Sequence, residues 1–185
     1  MKELAETEAT YFVDAGDALF KYPYIAGDQV DHLKEVATVI IKAYNVMQCQ
    51  VMNVGTNDLA AGLDFIIEME EKANFPFISA NTKSTTTDKF LFKPYTIVET
   101  NDQTLGFVGI TGGDNRVKEF AFSDPIEAAK KAIDEIKDKV DLVFLMANGD
   151  DKLENALAAE VEGIDFLIRS KSGSLQRNPR QQDGT

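Results

Sequence analysis

Residues 124–149 have the sequence DPIEAAKKAIDEIKDKVDLVFLMANG, in which a helix signal is followed by a strand signal. Asp124 can cap a helix, Pro125 suits its first turn, and Glu127 can complete a capping box. The apolar residues that then recur at helical spacing are Ile126, Ala129, Ile133 and Ile136. This pattern predicts a helix over residues 124–139. Residues 142–146 are almost continuously apolar, which is typical of a strand buried on both faces.

The same alternation of strands and helices extends along the rest of the chain. Strand-like runs occupy residues 11–14, 50–54, 77–80 and 166–169, and helical patterns occupy residues 31–45, 59–72 and 151–160. Two β-prone runs, 95–100 and 104–110, predict a hairpin, and the polar residues 82–87 predict a loop. Together these patterns predict an α/β layered fold in which mixed β-sheets are flanked by helices.

Composition restricts the classes of protein to which the chain can belong. At 185 residues, with 44% hydrophobic and 27% charged residues, it is expected to form one soluble domain. The formal net charge of −12 repels phosphate backbones and anionic lipid, so binding to nucleic acid or to a membrane surface is not expected. No apolar run is long enough to span a bilayer, and residues 1–6 lack the apolar core of a signal peptide. The single cysteine, Cys49, is predicted to be a buried and unreactive thiol.

Four of the predicted strands end in short polar segments. These are VDAGD at residues 13–17, VGTND at 54–58, ANG at 147–149 and RSKSG at 169–173. In open α/β sheets, binding sites form where the carboxyl ends of the strands meet. The four segments are therefore predicted to line one cleft. His32, the only histidine, lies near the start of a predicted helix and is interpreted as a surface or capping residue.

The order of these segments resembles the metallophosphoesterase (calcineurin-like) domain of the 5′-nucleotidase family. The matching motifs are GD at 16–17, GTND at 55–58, NFPFISAN at 74–81, the hairpin at 95–110 and DPIEAA at 124–129. The resemblance extends over about residues 9–171 and implies a 5′-nucleotidase-like domain at residues 1–170, followed by a polar loop or tail at 171–185. It also implies that the family's first strand, with its Asp-x-His motif, would precede Met1, and that the nucleobase-binding C-terminal domain is not part of the chain.

The resemblance implies that most of the metal ligands are replaced. Asp17 matches the bridging aspartate, whereas Thr56 stands at the position of a ligating asparagine and Asn57 at that of the catalytic histidine. The three remaining histidine positions are occupied by Ala147, Lys171 and Gly173. Only one ligand position, Asp17, is therefore retained. The residues of the vestigial cleft are Asp17, Thr56, Asn57, Asp58, Asn148 and Lys171. We expect no cofactor and assign no catalytic residue.

Two interpretations of the cleft remain open at the level of sequence. In one, Asn57, Asp58 and Asn148 bind a divalent cation (Mn²⁺, Zn²⁺, Mg²⁺ or Ca²⁺) through oxygen. In the other, Lys171, together with Arg169, fills the vacated space and neutralises Asp17, although Lys171 can equally point into solvent. A cation at a ligand position repels a dication and has no lone pair to offer.

Two functions follow from these interpretations. The favoured hypothesis is a non-catalytic 5′-nucleotidase-like module that keeps the scaffold for binding or assembly with a protein partner or a second copy of the chain. The alternative is a metal-dependent phosphoester hydrolase of the 5′-nucleotidase type, and only then is a nucleotide expected to bind. Aromatic residues proposed for a contact surface are Tyr22, Tyr24, Phe90 and Phe92. The resemblance also implies a periplasmic or extracellular location.

Overall fold

A computed structural model describes residues 10–170 of the chain. The strands are β1 (Phe12–Asp14), β2 (Cys49–Asn53), β3 (Phe77–Ile78), β4 (Thr82–Ser84), β5 (Tyr95–Glu99), β6 (Thr104–Thr111), β7 (Phe120–Phe122), β8 (Leu142–Asn148) and β9 (Phe166–Arg169). The helices are α1 (Val30–Val46), α2 (Leu63–Lys72), α3 (Pro125–Ile136) and α4 (Asp151–Glu160). No helix in this part of the chain is long and apolar enough to cross a membrane.

The strands form two larger sheets and one small ribbon. Strands β1, β2 and β3 are parallel, while the four-stranded sheet has the order β5-β6-β8-β9. In that sheet β5 and β6 are antiparallel, as predicted for the hairpin, and β6, β8 and β9 are parallel. The predicted mixed sheet is therefore confirmed. The remaining pair, β4 and β7, is antiparallel.

Helices cover the outer faces of the two sheets. One apolar cluster joins α1 and α2 to the β1-β2-β3 sheet, and a second joins α3 and α4 to the four-stranded sheet. A third cluster lies between the sheets and consists of Val51, Ile78, Leu105, Phe107 and Met146. Strand β8 is thus packed on both faces, which explains its continuous apolar sequence. These layers confirm the predicted α/β architecture.

Several local predictions need correction. The polar residues 82–87 are predicted to form a loop, but Thr82–Ser84 is strand β4, because its backbone pairs with β7 and the buried Thr82 hydroxyl lies 2.7 Å from Ser79 Oγ. The helix predicted from residue 59 begins at Leu63, after a short 3₁₀ turn. The capping box of α3 is half formed: Asp124 accepts from the Glu127 N–H at 2.9 Å, whereas the Glu127 carboxylate pairs with Lys130.

Candidate functional site

The carboxyl ends of β1, β2 and β8 meet in one place, as the sequence predicts, and Asn148 Nδ2 donates to Ser170 Oγ after β9 at 2.8 Å. The loop after β6, which the sequence indicates only as a turn, joins them. The Asn57 N–H donates to Asp17 Oδ1 at 2.7 Å, which joins the loops after β2 and β1. The Thr56 N–H donates to Asn148 Oδ1 at 3.0 Å, and Thr56 Oγ1 accepts from the Gly113 N–H at 3.1 Å. Five residues of the predicted cleft therefore lie together. The sixth, Lys171, is outside the described residues.

Asp58 is the residue that ties these loops most strongly. Its carboxylate is fully buried and accepts three backbone hydrogen bonds. Oδ2 accepts from the Asp17 N–H at 2.9 Å and the Gly55 N–H at 2.8 Å, and Oδ1 accepts from the Leu19 N–H at 2.8 Å. Burial raises the pKa of Asp58 from 3.8 to about 7, against the Leu19 hydrogen bond, which lowers it, while the Asp17 charge raises it further. Asp58 thus fixes the chain direction after both β1 and β2.

The backbone at this edge is packed too closely for larger residues. Gly16 has a φ of 105°, and a Cβ there would lie 2.7 Å from the Gly55 nitrogen. A Cβ on Gly55 would lie 2.7 Å from Asn148 Nδ2. Asp17 follows with a φ of 65°, in the left-handed region that Asp tolerates better than most residues. The Gly16-Asp17 turn is therefore a tight backbone contact as well as the retained sequence motif.

Several polar side chains of this cleft are already hydrogen-bonded to the chain itself. A two-metal centre needs carboxylate, amide or imidazole ligands that converge with free lone pairs. Here Asp58 accepts only backbone N–H groups, Asn148 Oδ1 accepts from Thr56, and Asn57 Nδ2 donates to the Lys21 carbonyl at 3.0 Å. Among residues 10–170 no three His, Cys, Asp or Glu side chains are grouped to hold a metal.

A buried hydroxyl network lies beneath the cleft, and the sequence analysis missed it. Ser79 Oγ lies 2.7 Å from Thr82 Oγ1 and 2.8 Å from Thr111 Oγ1. Thr111 Oγ1 donates in turn to the Val54 carbonyl at 2.6 Å, and Asn81 Nδ2 donates to the Thr111 carbonyl at 2.7 Å. The network links the ends of β2, β3 and β6. The only signal in the sequence is the run of small polar residues after β3.

One interpretation of the sequence was that Arg169 helps Lys171 to neutralise Asp17. In the structure Arg169 pairs with other carboxylates instead. Its Nη2 lies 2.6 Å from Asp151 Oδ1, and its Nε donates to Glu154 Oε2. Glu154 is only 1% exposed, so its charge requires a close partner more than Asp17's does. The pairing of Asp17 with Lys171 remains a prediction, because Lys171 is outside the described residues.

The other residues singled out from the sequence have ordinary environments. His32 is exposed on α1, and Cys49 is buried with its pKa raised by burial to about 12, so its thiol is unreactive. Of the proposed contact residues, Tyr22, Tyr24 and Phe90 are between 51% and 55% exposed. Phe92 is only 5% exposed and packs in the core, so its assignment to a contact surface is wrong.

We expect Asp58 to make stability depend on pH. Because its folded-state pKa is raised, the folded chain holds a proton that the unfolded chain has lost between pH 3.8 and about 7. The Asp58 contribution to the free energy of unfolding is fully present below pH 3.8 and is lost as the pH rises through about 7. The check is a ¹³C NMR titration of the aspartate carboxyl groups. A midpoint for Asp58 at its usual value of 3.8 contradicts the prediction.

In sequence the chain is similar to enzymes that act on nucleotides. No protein-family model matches the chain. A 2′,3′-cyclic-nucleotide 2′-phosphodiesterase/3′-nucleotidase from Salmonella typhimurium is 30% identical in an alignment 155 residues long that covers 70% of this chain and 24% of the relative. A 5′-nucleotidase from Vibrio cholerae is 32% identical in an alignment 106 residues long that covers 52% of this chain and 19% of the relative. The chain thus spans a quarter or less of the length of these curated relatives.

The solved structures agree with the fold. A calcineurin-like phosphoesterase from Bacillus subtilis superposes with a TM-score of 0.73 and 23% identity, covering 91% of this chain and 60% of that chain. At this identity the likeness concerns the fold alone. The two kinds of comparison point to the same architecture.

Proposed function

We propose that this chain is a non-catalytic module that keeps its scaffold for binding or assembly. The scaffold is the fold of the calcineurin-like phosphoesterases, and the homologues of the chain include 5′-nucleotidases. The observation that carries the proposal is that oxygen atoms of the cleft accept hydrogen bonds from the backbone of the neighbouring loops. Asp58 accepts three backbone N–H groups, and Asn148 and Thr56 accept one each. These contacts hold the loops together at the place where the family resemblance puts the ligands of two cations.

The replaced residues give independent support. Thr56 and Asn57 offer no imidazole, and Ala147 lies within β8 and is fully buried between β6 and β9. The methyl group of Ala147 has no lone pair, so Ala147 cannot be a ligand through its side chain, whatever the position of the neighbouring loops. The loss is selective, because the glycine-rich turns that shape the cleft are retained while the ligand positions at 56 and 147 are not.

The alternative is a metal-dependent phosphoester hydrolase of the 5′-nucleotidase type with an atypical site. It is supported by the names of the relatives and by the retained Asp17. Nucleotides would then be the substrates, and Asp17, Asn57, Asp58 and Asn148 would be the residues nearest to the reaction. Under the favoured proposal the ligand is instead a protein partner or a second copy, for which Tyr22, Tyr24 and Phe90 supply exposed aromatic surface. Both proposals place the protein in the periplasm or at the cell surface, by analogy with the family.

The experiment that separates the two functions measures metal content and hydrolysis together. We expect the purified chain to hold less than one Mn²⁺ or Zn²⁺ per molecule after dialysis, by inductively coupled plasma mass spectrometry. With p-nitrophenyl phosphate and added Mn²⁺ or Zn²⁺, we expect Asp17→Asn to hydrolyse as slowly as the unmodified chain. Asparagine is used because it tolerates the left-handed backbone at this position and its Oδ1 still accepts from Asn57.

The matched control is Asp28→Asn, which removes an equal charge at an exposed position outside the cleft. Two metal ions per chain, with turnover lost in Asp17→Asn and kept in Asp28→Asn, would show that the alternative is right.

A further inference from the structure

A cavity of about 330 Å³ lies between α3 and the segment that follows β4. Its floor consists of small side chains, Ala80, Ala128 and Ala132, so the helix and the sheet approach each other without filling the space. Phe90, Phe92 and Pro94 form the opposite wall. A volume of this size is at the lower end of the range for small-molecule sites, which are mostly apolar with a few polar groups at defined places.

The two aromatic rings of the wall differ in their exposure. Phe92 is 5% exposed and held in the core, whereas Phe90 is 54% exposed at the mouth of the cavity. The Lys83 ammonium lies 5.0 Å from the centroid of the Phe90 ring, which is cation–π distance. Phe92 is therefore a buried part of the wall, whereas Phe90 is partly exposed to solvent and also contacts Lys83.

The charged residues at the rim are mostly acidic. Asp124, Glu127 and Glu135 line the cavity together with one cation, Lys131. Asp124 caps α3, and Glu127 Oε1 lies 3.3 Å from Lys130. Within residues 10–170, Glu135 makes neither an ion pair nor a side-chain hydrogen bond, so its carboxylate is available to a ligand. An apolar cavity with an excess of carboxylates at its mouth favours a ligand that is apolar at one end and cationic at the other.

We propose that this cavity binds a small amphiphilic amine, whose aromatic or branched apolar body occupies the alanine floor and whose ammonium group pairs with Glu135. The assignment is independent of the vestigial cleft, since it uses none of the residues at the carboxyl ends of β1, β2 or β8. It shares Phe90 alone with the aromatic surface of the proposed function. The −12 net charge of the chain raises the local concentration of such a cation.

The test is an NMR titration of alanine methyl groups with three probes of similar shape. 2-Phenylethylamine is the cation, 2-phenylethanol the neutral analogue and 3-phenylpropionate the anion. We expect saturable shifts of the Ala80, Ala128 and Ala132 methyls with the amine, at an affinity about fivefold above that of the alcohol, as one exposed ion pair gives. The anion is expected to bind less tightly than the alcohol.

Three variants sharpen the test. Glu135→Gln should reduce the amine's affinity to that of the alcohol, whereas Asp134→Asn, on the same helix, should leave it unchanged because Asp134 pairs with Lys137 at 2.7 Å. Ala128→Leu should abolish binding of both probes by filling the cavity. Equal affinities for amine, alcohol and anion, or an amine affinity that Glu135→Gln does not change, would overturn the proposal. The Glu135 result does not depend on whether Ala128→Leu folds.

Discussion

Replacing Asp58 with asparagine is expected to lower the free energy of unfolding by about 3 kcal/mol, from the cost of leaving buried polar groups unpaired. Both carboxylate oxygens of Asp58 accept, and together they satisfy the N–H groups of Asp17, Gly55 and Leu19. The amide nitrogen of asparagine has no lone pair to accept with. In either orientation of the amide, at least one buried N–H group loses its acceptor and faces another donor.

Urea denaturation followed by circular dichroism measures this loss, at a pH above the raised Asp58 pKa of about 7, where both oxygens of the ionised carboxylate accept. The control is Asp28→Asn, an exposed position at which we expect a change within about 0.5 kcal/mol. A loss at Asp58 no larger than that of the control would mean that the carboxylate is not what holds the loops after β1 and β2. Asp17→Asn should lower the free energy of unfolding less than Asp58→Asn does, because Asp17 Oδ1 accepts one backbone hydrogen bond that the asparagine Oδ1 can still accept.

The difference between Asp58 and Asp17 shows what the sequence could and could not predict about the site. The strand ends predicted that residues 16–17, 56–58 and 148 would meet, since apolar runs followed by polar turns fix where the chain leaves each sheet. They did not predict that Asp58 accepts from Leu19, 39 residues away, because that contact depends on two loops folding against each other. Asp58 was therefore considered as a cation ligand, although its carboxylate faces backbone donors.

The fold was predicted best where the pattern is local. Helix α4 and strand β9 have the predicted bounds, because capping by Asp150 and a short apolar run define them without distant contacts. Strand β7 was not predicted, and β4 was taken for a loop. Each has three residues, and the two pair with each other across a separation of more than thirty residues, while β4 also makes a single bridge from Lys83 to Phe90. Such strands carry little periodicity of their own, so tertiary pairing decides them.

Replacing Arg169 with methionine is expected to destabilise the chain by about 3–5 kcal/mol, the usual cost of removing one partner of a buried ion pair. Glu154 is 1% exposed, and Glu154 Oε1 has no hydrogen-bond partner among residues 10–170. Its other oxygen, Oε2, accepts from Arg169 Nε. Without the guanidinium the buried carboxylate loses the one ion-pair partner that it has among residues 10–170.

A double-mutant cycle distinguishes this loss of charge compensation from loss of packing. Glu154→Leu combined with Arg169→Met removes both charges and keeps comparable apolar volume, so we expect it to recover most of the stability lost in Arg169→Met alone. Lys137→Met breaks the exposed pair with Asp134 and should cost less than about 1 kcal/mol. If the double variant is no more stable than Arg169→Met, the arginine acts through its packing against α4, and the buried charge of Glu154 is compensated by other groups.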